Sequence, residues 1–263
     1  MKVAVAIPCY KVKSHILSVI EGIGAEVDTI YVVDDCCPEQ SGNFVIENNQ
    51  DERVKVLWHS ENQGVGGAIV TAYQKALEDD MDIVVKVDGD GQMDPSLLPH
   101  FIEPIIQGRA DYTKGSRFFT LESLTSMPFV RKFGNAALSF INKVSSGYWN
   151  VMDPTNGYTA IHAQALRLMP LEKLSRRYFF ESDMLFRLGT LRAVVQDIPM
   201  DAIYGDEVSN LSVKKVLVDF PPLYLKAFFK RVFYNYFLRD FNGASMEFCL
   251  LYTSPSPRDL DLS

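Results

Sequence analysis

The chain has 263 residues, 47% of them hydrophobic and 22% charged, with a formal net charge of −7. It is too apolar for a disordered chain and long enough to bury a full core. An acidic balance lacks the basic footprint of a nucleic-acid-binding protein, so no nucleic-acid partner is expected.

The opening segment, MKVAVAIPCY, is a short apolar run ended by Pro8, too short for a signal peptide. Its residues 2–7 begin a series of strand-like runs that continues at 29–34 (TIYVVD), 54–58 (VKVLW), 82–87 (DIVVKV) and 111–116 (DYTKGS). Helix-like segments near 14–24, 64–79 and 96–108 alternate with them. The last opens on Asp94-Pro95-Ser96, a helix-start signal with proline in the first turn. Continuous apolar strands separated by helices predict an α/β fold with a mainly parallel sheet covered on both faces. Ligands of such sheets sit beyond the carboxyl ends of the strands. VVDD, WHSENQG and VDGDGQ therefore share one rim.

After residue 120 the alternation weakens to a helix near 128–146, the turn-rich MDPTNGYTAIH, a helix near 180–190, an apolar run at 193–198 and a polar loop at 201–213. Residues 1–213 are expected to form one domain. Residues 214–241 crowd aromatics beside Lys226, Lys230, Arg231 and Arg239. Either this helix packs its aromatic face on the domain, or it lies in a membrane interface, where rings and snorkelling cations both belong. The interfacial reading is the expectation taken forward. Residues 242–251 resemble the start of an apolar segment cut short, and 252–263 (YTSPSPRDLDLS) a non-native tail. No stretch reaches the roughly 18–20 apolar residues of a transmembrane helix. The four cysteines, Cys9, Cys36, Cys37 and Cys249, show no metal-binding spacing and suit a reducing, cytosol-facing setting.

The densest chemistry lies in IVVKVDGDGQMDP. Counted from Asp88 as a calcium loop, the sixth residue is Met93 and the twelfth Pro99, where glycine and glutamate are required. That reading fails. Asp88 and Asp90 project the same way from extended backbone, and with Gln92 they offer hard oxygens suited to Mg²⁺ or Mn²⁺ with positions open to phosphate. An acidic surface turn is the plain alternative. ENQGVGGA (61–68) follows a strand and opens a helix, so its amides are placed to cradle an anion. The glycine spacing fits neither a dinucleotide fingerprint nor a P-loop. Asp35 puts a carboxylate on the rim, for ribose or base recognition or as a helix cap. Arg117, Arg131, Lys132 and Asn135 follow the last strands, either as solvated surface groups or as a second phosphate site.

AIPCY, VVDD, ENQGVGGA, VDGDGQMDP and GSRF, in this order and spacing, resemble the family-two, GT-A fold, inverting glycosyltransferases. The resemblance spans roughly residues 1–240 and is closest to the branch of dolichyl-phosphate mannose synthase and the polyprenyl-phosphate glycosyltransferases. It implies a metal held by Asp90, Asp88 and Gln92, and a nucleoside-diphosphate sugar, UDP- or GDP-linked, bound by Pro8, Tyr10, Asp35, Asn62, Gly64 and Asp88. It also implies a lipid phosphate held by Arg117, Arg131 and Asn135. Two departures stand out. Lys11-Val12 replaces the family's asparagine–glutamate, and YGDEVSNL (204–211) lacks the arginine that meets the donor diphosphate, which leaves Ser209 and, as a substitute cation, Arg177.

The resemblance implies transfer of a sugar to a polyprenyl phosphate, undecaprenyl or dolichyl, at the cytoplasmic face of a membrane. A phosphate monoester with a second pKa of about 6 is already mostly dianionic at neutral pH and needs no general base. Asp183 in FFESDM is therefore a base for a hydroxyl acceptor, an acceptor-orienting group or a support for arginines, and Asp153 in DPTNGY is an acceptor-side candidate or a structural turn. Two rival functions remain: non-processive transfer to a glycan hydroxyl, and an inactive nucleotide-binding scaffold.

Overall fold

The computed structural model describes residues 1–118, 129–201 and 213–241, together with 243, 245–247 and 249; at 129–133, 135 and 213–218 it describes the backbone alone. Strand β1 (Val3–Cys9) is buried along its length except at Pro8, and β2 (Thr29–Asp34) and β4 (Ile83–Lys86) are buried throughout. Alternation along β1 sorts its side chains between two cores. Val3, Val5 and Ile7 pack on one face with Ile16, Ile20, Leu98 and Phe101. Ala4 and Ala6 meet Ala68, Ala72, Tyr73 and Ala76 on the other. Small residues on that second face let a helix approach the sheet closely, while each branched side chain buried on the first contributes about 1.5–3 kcal/mol.

Among the described residues seven strands form one sheet in the order β3-β2-β1-β4-β6-β5-β7, with β3 at Val54–Trp58, β5 at Tyr112–Ser116, β6 at Thr159–His162 and β7 at Val195–Pro199. All neighbours are parallel except β6, which runs antiparallel to both β4 and β5. Helices α1 (Ile16–Glu21) and α4 (Leu98–Ile106) cover the first face; α3 (Val65–Glu78), α6 (Ala163–Arg167) and α7 (Phe180–Leu191) cover the second. Helix α2 (Ser41–Asn48) joins β2 to β3, and α5 (Phe129–Ser146) precedes β6. The strands expected from the sequence stand where they were placed. Helix α2 and strand β6 were not foreseen.

Helix α8 (Val213–Phe233), extended by a π-helical stretch at Tyr234–Arg239, docks by its aromatic face. Phe179, Phe220 and Tyr224 pack edge to face at 5.0–6.2 Å, and the Tyr224 hydroxyl lies 2.7 Å from Ser182 Oγ. Arg231 donates to the carbonyls of Ser145 and Val144 at 3.0 and 2.8 Å, capping the end of α5. Arg192 pairs with Asp240, which ties the π-helical end to α7. The other side of α8 leaves Leu225, Phe229 and Phe233 more than half exposed. Among the described residues no helix is long and apolar enough to cross a membrane. Residues 252–263 lie outside the described part of the chain.

Candidate active site

The carboxyl ends of the central strands meet in register. Cys9 pairs with Asp34 across β1 and β2, and Ala6 pairs with Lys86 across β1 and β4. The Val87 amide extends the ladder to the Ala6 carbonyl at 3.1 Å, so Asp88 leaves the sheet beside the end of β1. Pro8, Tyr10, Asp35, Asn62, Gly64, Asp88 and Asp90 line one cavity of about 380 Å³, joined by Arg177 and Tyr178 from the loop before α7. These are the candidate nucleotide residues and both candidate metal carboxylates. The parallel sheet brings together positions spread over some eighty residues of sequence.

Two adjacent aspartates at the end of β2 do different work. Asp34 accepts from the amides of Cys37 and Gly42, both at 2.7 Å, and anchors the start of α2. Asp35 accepts from the amides of Gln63 and Gly64 at 2.8 and 2.7 Å, and its Oδ1 lies 2.7 Å from His59 Nδ1. The Asp35 carboxylate thus takes the two amides that lead into the N-terminus of α3. The Gly67 amide is also engaged, donating to the Arg176 carbonyl at 3.1 Å. The expectation that ENQGVGGA cradles a ligand anion is corrected for these three amides, because protein oxygens already satisfy them.

The glycines of this turn have a further cause. Gly64 sits at φ +83°, and a Cβ there would lie 2.7 Å from the Arg176 carbonyl oxygen; at Gly66 it would lie 2.2 Å from that of Ser175. Helix α3 therefore presses directly on the 175–178 segment. Gly66→Ala is expected to lower unfolding stability by about 1–3 kcal/mol, as overpacking against backbone does. Urea denaturation reads this, and an unchanged midpoint would show that the contact yields at no cost.

In the acidic segment, the Asp90 carboxylate accepts from the Gln92 amide at 3.0 Å, and Gly91 between them turns at φ +76°. Asp94 caps the next turn, accepting from Ser96 N at 2.9 Å, as its sequence context predicts. Gln92 is half-buried and does not line the cavity; what the structure shows of it is the hydrogen bond its backbone amide donates to Asp90. Among the described residues no group of three His, Cys, Asp or Glu side chains gathers. The donor set is two carboxylates facing a cavity. That fits a hard cation such as Mg²⁺ or Mn²⁺ that draws its other ligands from phosphate oxygens and water.

Behind Asp88 lies a group that the sequence reading passed over. Lys86 is fully buried, with its Nζ 2.7 Å from Asp88 Oδ1, 3.2 Å from the Gly157 carbonyl and 3.4 Å from Glu181 Oε1. Burial alone would depress its pKa, but the charges of Asp88 and Glu181 outweigh burial and hold it above the usual lysine range. The signal was present: a lysine inside IVVKV has to be paired if that strand is buried.

Glu181 and Asp183 are two apart on α7, about 200° around the helix, so they cannot face the same way. Glu181 turns to Lys86. Asp183 points elsewhere, accepting from the Ser175 amide at 2.9 Å and Arg187 Nε at 3.2 Å, and lines a cleft between α7 and α8 instead. Arg117 is bound through two nitrogens to buried Asp153, at 2.7 and 3.0 Å. Nearby Lys114 is buried and donates to the Asn156 carbonyl; burial pushes its pKa down to about 8. The side chains of Arg131 and Asn135, and Ser209 with Asp206 and Glu207, lie outside the described residues.

The sequence profile of glycosyl transferase family 2 matches residues 4–168. A UDP-N-acetylglucosamine–dolichyl-phosphate N-acetylglucosaminyltransferase of Methanococcus voltae is 30% identical over 232 residues, covering 83% of this chain and 92% of the relative. An undecaprenyl-phosphate mannosyltransferase of Micrococcus luteus is 32% identical over 173 residues, 65% of this chain and 70% of that one. Among solved structures, glucosyl-3-phosphoglycerate synthase of Mycobacterium tuberculosis shares the fold, with a TM-score of 0.64 at 17% identity over 88% of this chain and 80% of that one. The same enzyme has been crystallised with Mn²⁺ and UDP, a structure that superposes on this chain with a TM-score of 0.59 at 17% identity, over 88% of this chain and 78% of that one.

Proposed function

Because the chain belongs to glycosyl transferase family 2, we propose that it moves a sugar, with inversion, from a nucleoside-diphosphate sugar to a polyprenyl phosphate at a membrane surface. One observation carries this reading: the two carboxylates of the acidic segment and the candidate nucleotide residues line a single cavity at the carboxyl ends of the strands. The acceptor class is supported by the Methanococcus and Micrococcus relatives, whose names specify polyprenyl-type phosphates.

Asp88 and Asp90 would hold the Mg²⁺ or Mn²⁺, which when bound neutralises charge on the donor diphosphate and on the departing nucleoside diphosphate. Tyr10, 42% exposed at the cavity, offers a ring to the base. Asp35 fixes the turn that carries Asn62 and Gly64. Arg177 would supply the cation that the later family element lacks, a role supported by its position in the lining of this cavity. Lys86 holds Asp88 in place from below.

The acceptor phosphate oxygen attacks the anomeric carbon from the face opposite the leaving group. The bond from that carbon to the diphosphate oxygen breaks, and the nucleoside diphosphate departs with the electron pair. The phosphate dianion is the nucleophile, so no side chain has to remove a proton, and Asp183 serves to hold the Ser175 loop. The proposed location is peripheral, on the cytoplasmic face where nucleotide sugars are available.

A screen of UDP- and GDP-sugars against undecaprenyl and dolichyl phosphates tests the reading. Transfer is expected with Mg²⁺ or Mn²⁺, with loss on chelation and a rate that rises through a pH of about 6 and then levels as the acceptor phosphate ionises. Sugar transfer to glycan hydroxyls alone would overturn the acceptor assignment. Nucleotide binding without donor consumption would overturn the enzyme reading.

A further inference from the structure

A second and larger cavity, about 750 Å³, lies between α7 and α8, and nothing in the proposed sugar-transfer chemistry uses it. Its lining combines two features, a cationic edge and an apolar wall. Lys173, Lys226 and Lys230 stand exposed at its edge, and among the described residues none of the three has an ion-pair partner. Among the described residues Asp183 is the one carboxylate in the lining, and Arg187 already pairs with it at 3.2 Å. Most of the remaining wall is apolar, made in part by Phe179, Phe186, Leu191 and Phe233.

A small soluble anion has no use for such a wall, and an uncharged acyl chain has no use for three ammonium groups. The combination suits an anionic head group attached to a hydrocarbon chain. The surroundings point the same way: Phe229 and Phe233 on α8 are 60% and 58% exposed, and Leu238 and Phe241 beyond it 66% and 65%. An apolar ridge beside a cationic cleft presents both to a bilayer at once.

We propose that this cleft seats an anionic phospholipid of the bilayer leaflet, with its head group over Lys173, Lys226 and Lys230 and its first acyl carbons against Phe186, Leu191 and Phe233. The inference rests on the membrane-surface reading above but draws on residues separate from the sugar-transfer cavity. Bulk phospholipid is favoured over the polyprenyl phosphate acceptor because, among the described residues, the cleft shares no lining residue with the sugar-transfer cavity, and three lysines attract the anionic lipid that the leaflet holds in excess.

The test is co-sedimentation of the full chain with phosphatidylcholine vesicles, with and without phosphatidylglycerol. Binding is expected to require phosphatidylglycerol and to fall at least about tenfold in Lys226→Glu/Lys230→Glu. It should be kept in Lys2→Glu/Arg109→Glu, which makes the same charge change elsewhere on the surface. A Phe186→Trp reporter should be quenched by brominated phosphatidylglycerol beyond the wild-type response. Equal binding to both vesicles, undiminished binding in the Lys226/Lys230 variant, or no added quenching would each overturn the proposal. So would the same binding restored by polyprenyl phosphate in phosphatidylcholine, which would identify the acceptor as the occupant. The two readings fail separately: transfer to a short-chain, water-soluble polyprenyl phosphate tests the sugar chemistry without vesicles, and the Lys226/Lys230 variant is expected to retain it.

Discussion

Asp90→Ala is expected to reduce sugar transfer by about a thousandfold or more while leaving the chain folded. A developing diphosphate charge that loses its electrostatic partner typically costs two to three powers of ten, and a divalent cation concentrates that stabilisation in one place. Asp90 lies half-buried after β4, in a turn outside the sheet, so its removal leaves both cores intact. Three measurements check the expectation: turnover with excess Mn²⁺, UDP or GDP affinity with and without the metal, and the unfolding midpoint. Lost turnover with an unchanged midpoint and metal-independent nucleotide affinity supports the assignment. Near-wild-type turnover with added Mg²⁺ or Mn²⁺ would sink it.

Lys86→Met is expected to destabilise the fold by about 3–5 kcal/mol, the usual cost of leaving buried charge without its partner. Lys86 is shut between Asp88 and Glu181, and the Glu181 side chain is only 13% exposed. Methionine fills similar volume, so the loss reports charge rather than packing. Glu181→Gln in the same chain should restore part of it, giving a coupling energy by double-mutant cycle. A loss below about 0.5 kcal/mol in the single variant would show that Lys86 does not hold the pair. The same substitution should weaken metal-dependent nucleotide binding, since Asp88 loses the ammonium that orients it.

Much of this was legible in the sequence because the central strands are continuous apolar runs ending in polar clusters. That pattern specifies a covered parallel sheet, and such a sheet has its functional rim at one end. Strand β6 was not legible. It is four residues long, and its antiparallel direction leaves no mark on hydrophobic periodicity. The pairing of Arg117 with Asp153 spans 36 residues and arises only when β5 and β6 lie side by side. ENQGVGGA reads as an anion cradle, whereas the space at Gly64 and Gly66 is taken by the carbonyls of Arg176 and Ser175, a contact between distant segments that local spacing does not encode. Helical geometry alone separates Glu181 from Asp183, but which of them turns toward Lys86 is settled only when α7 packs on the sheet.

The segment from Ser175 to Phe179 has cavities on both sides. Arg177 and Tyr178 line the cavity that holds Asp88 and Asp90, while Ser175 and Phe179 line the cleft under α8. It is clamped from both directions, by α3 through Gly67 and by α7 through Asp183. A partition this thin makes the two cavities thermodynamic neighbours. Any occupant of one that displaces the partition alters the affinity of the other, and linkage requires the effect to be returned by the same factor. On the two proposals above, substrate recognition on one side and attachment on the other become two terms of a single binding equilibrium.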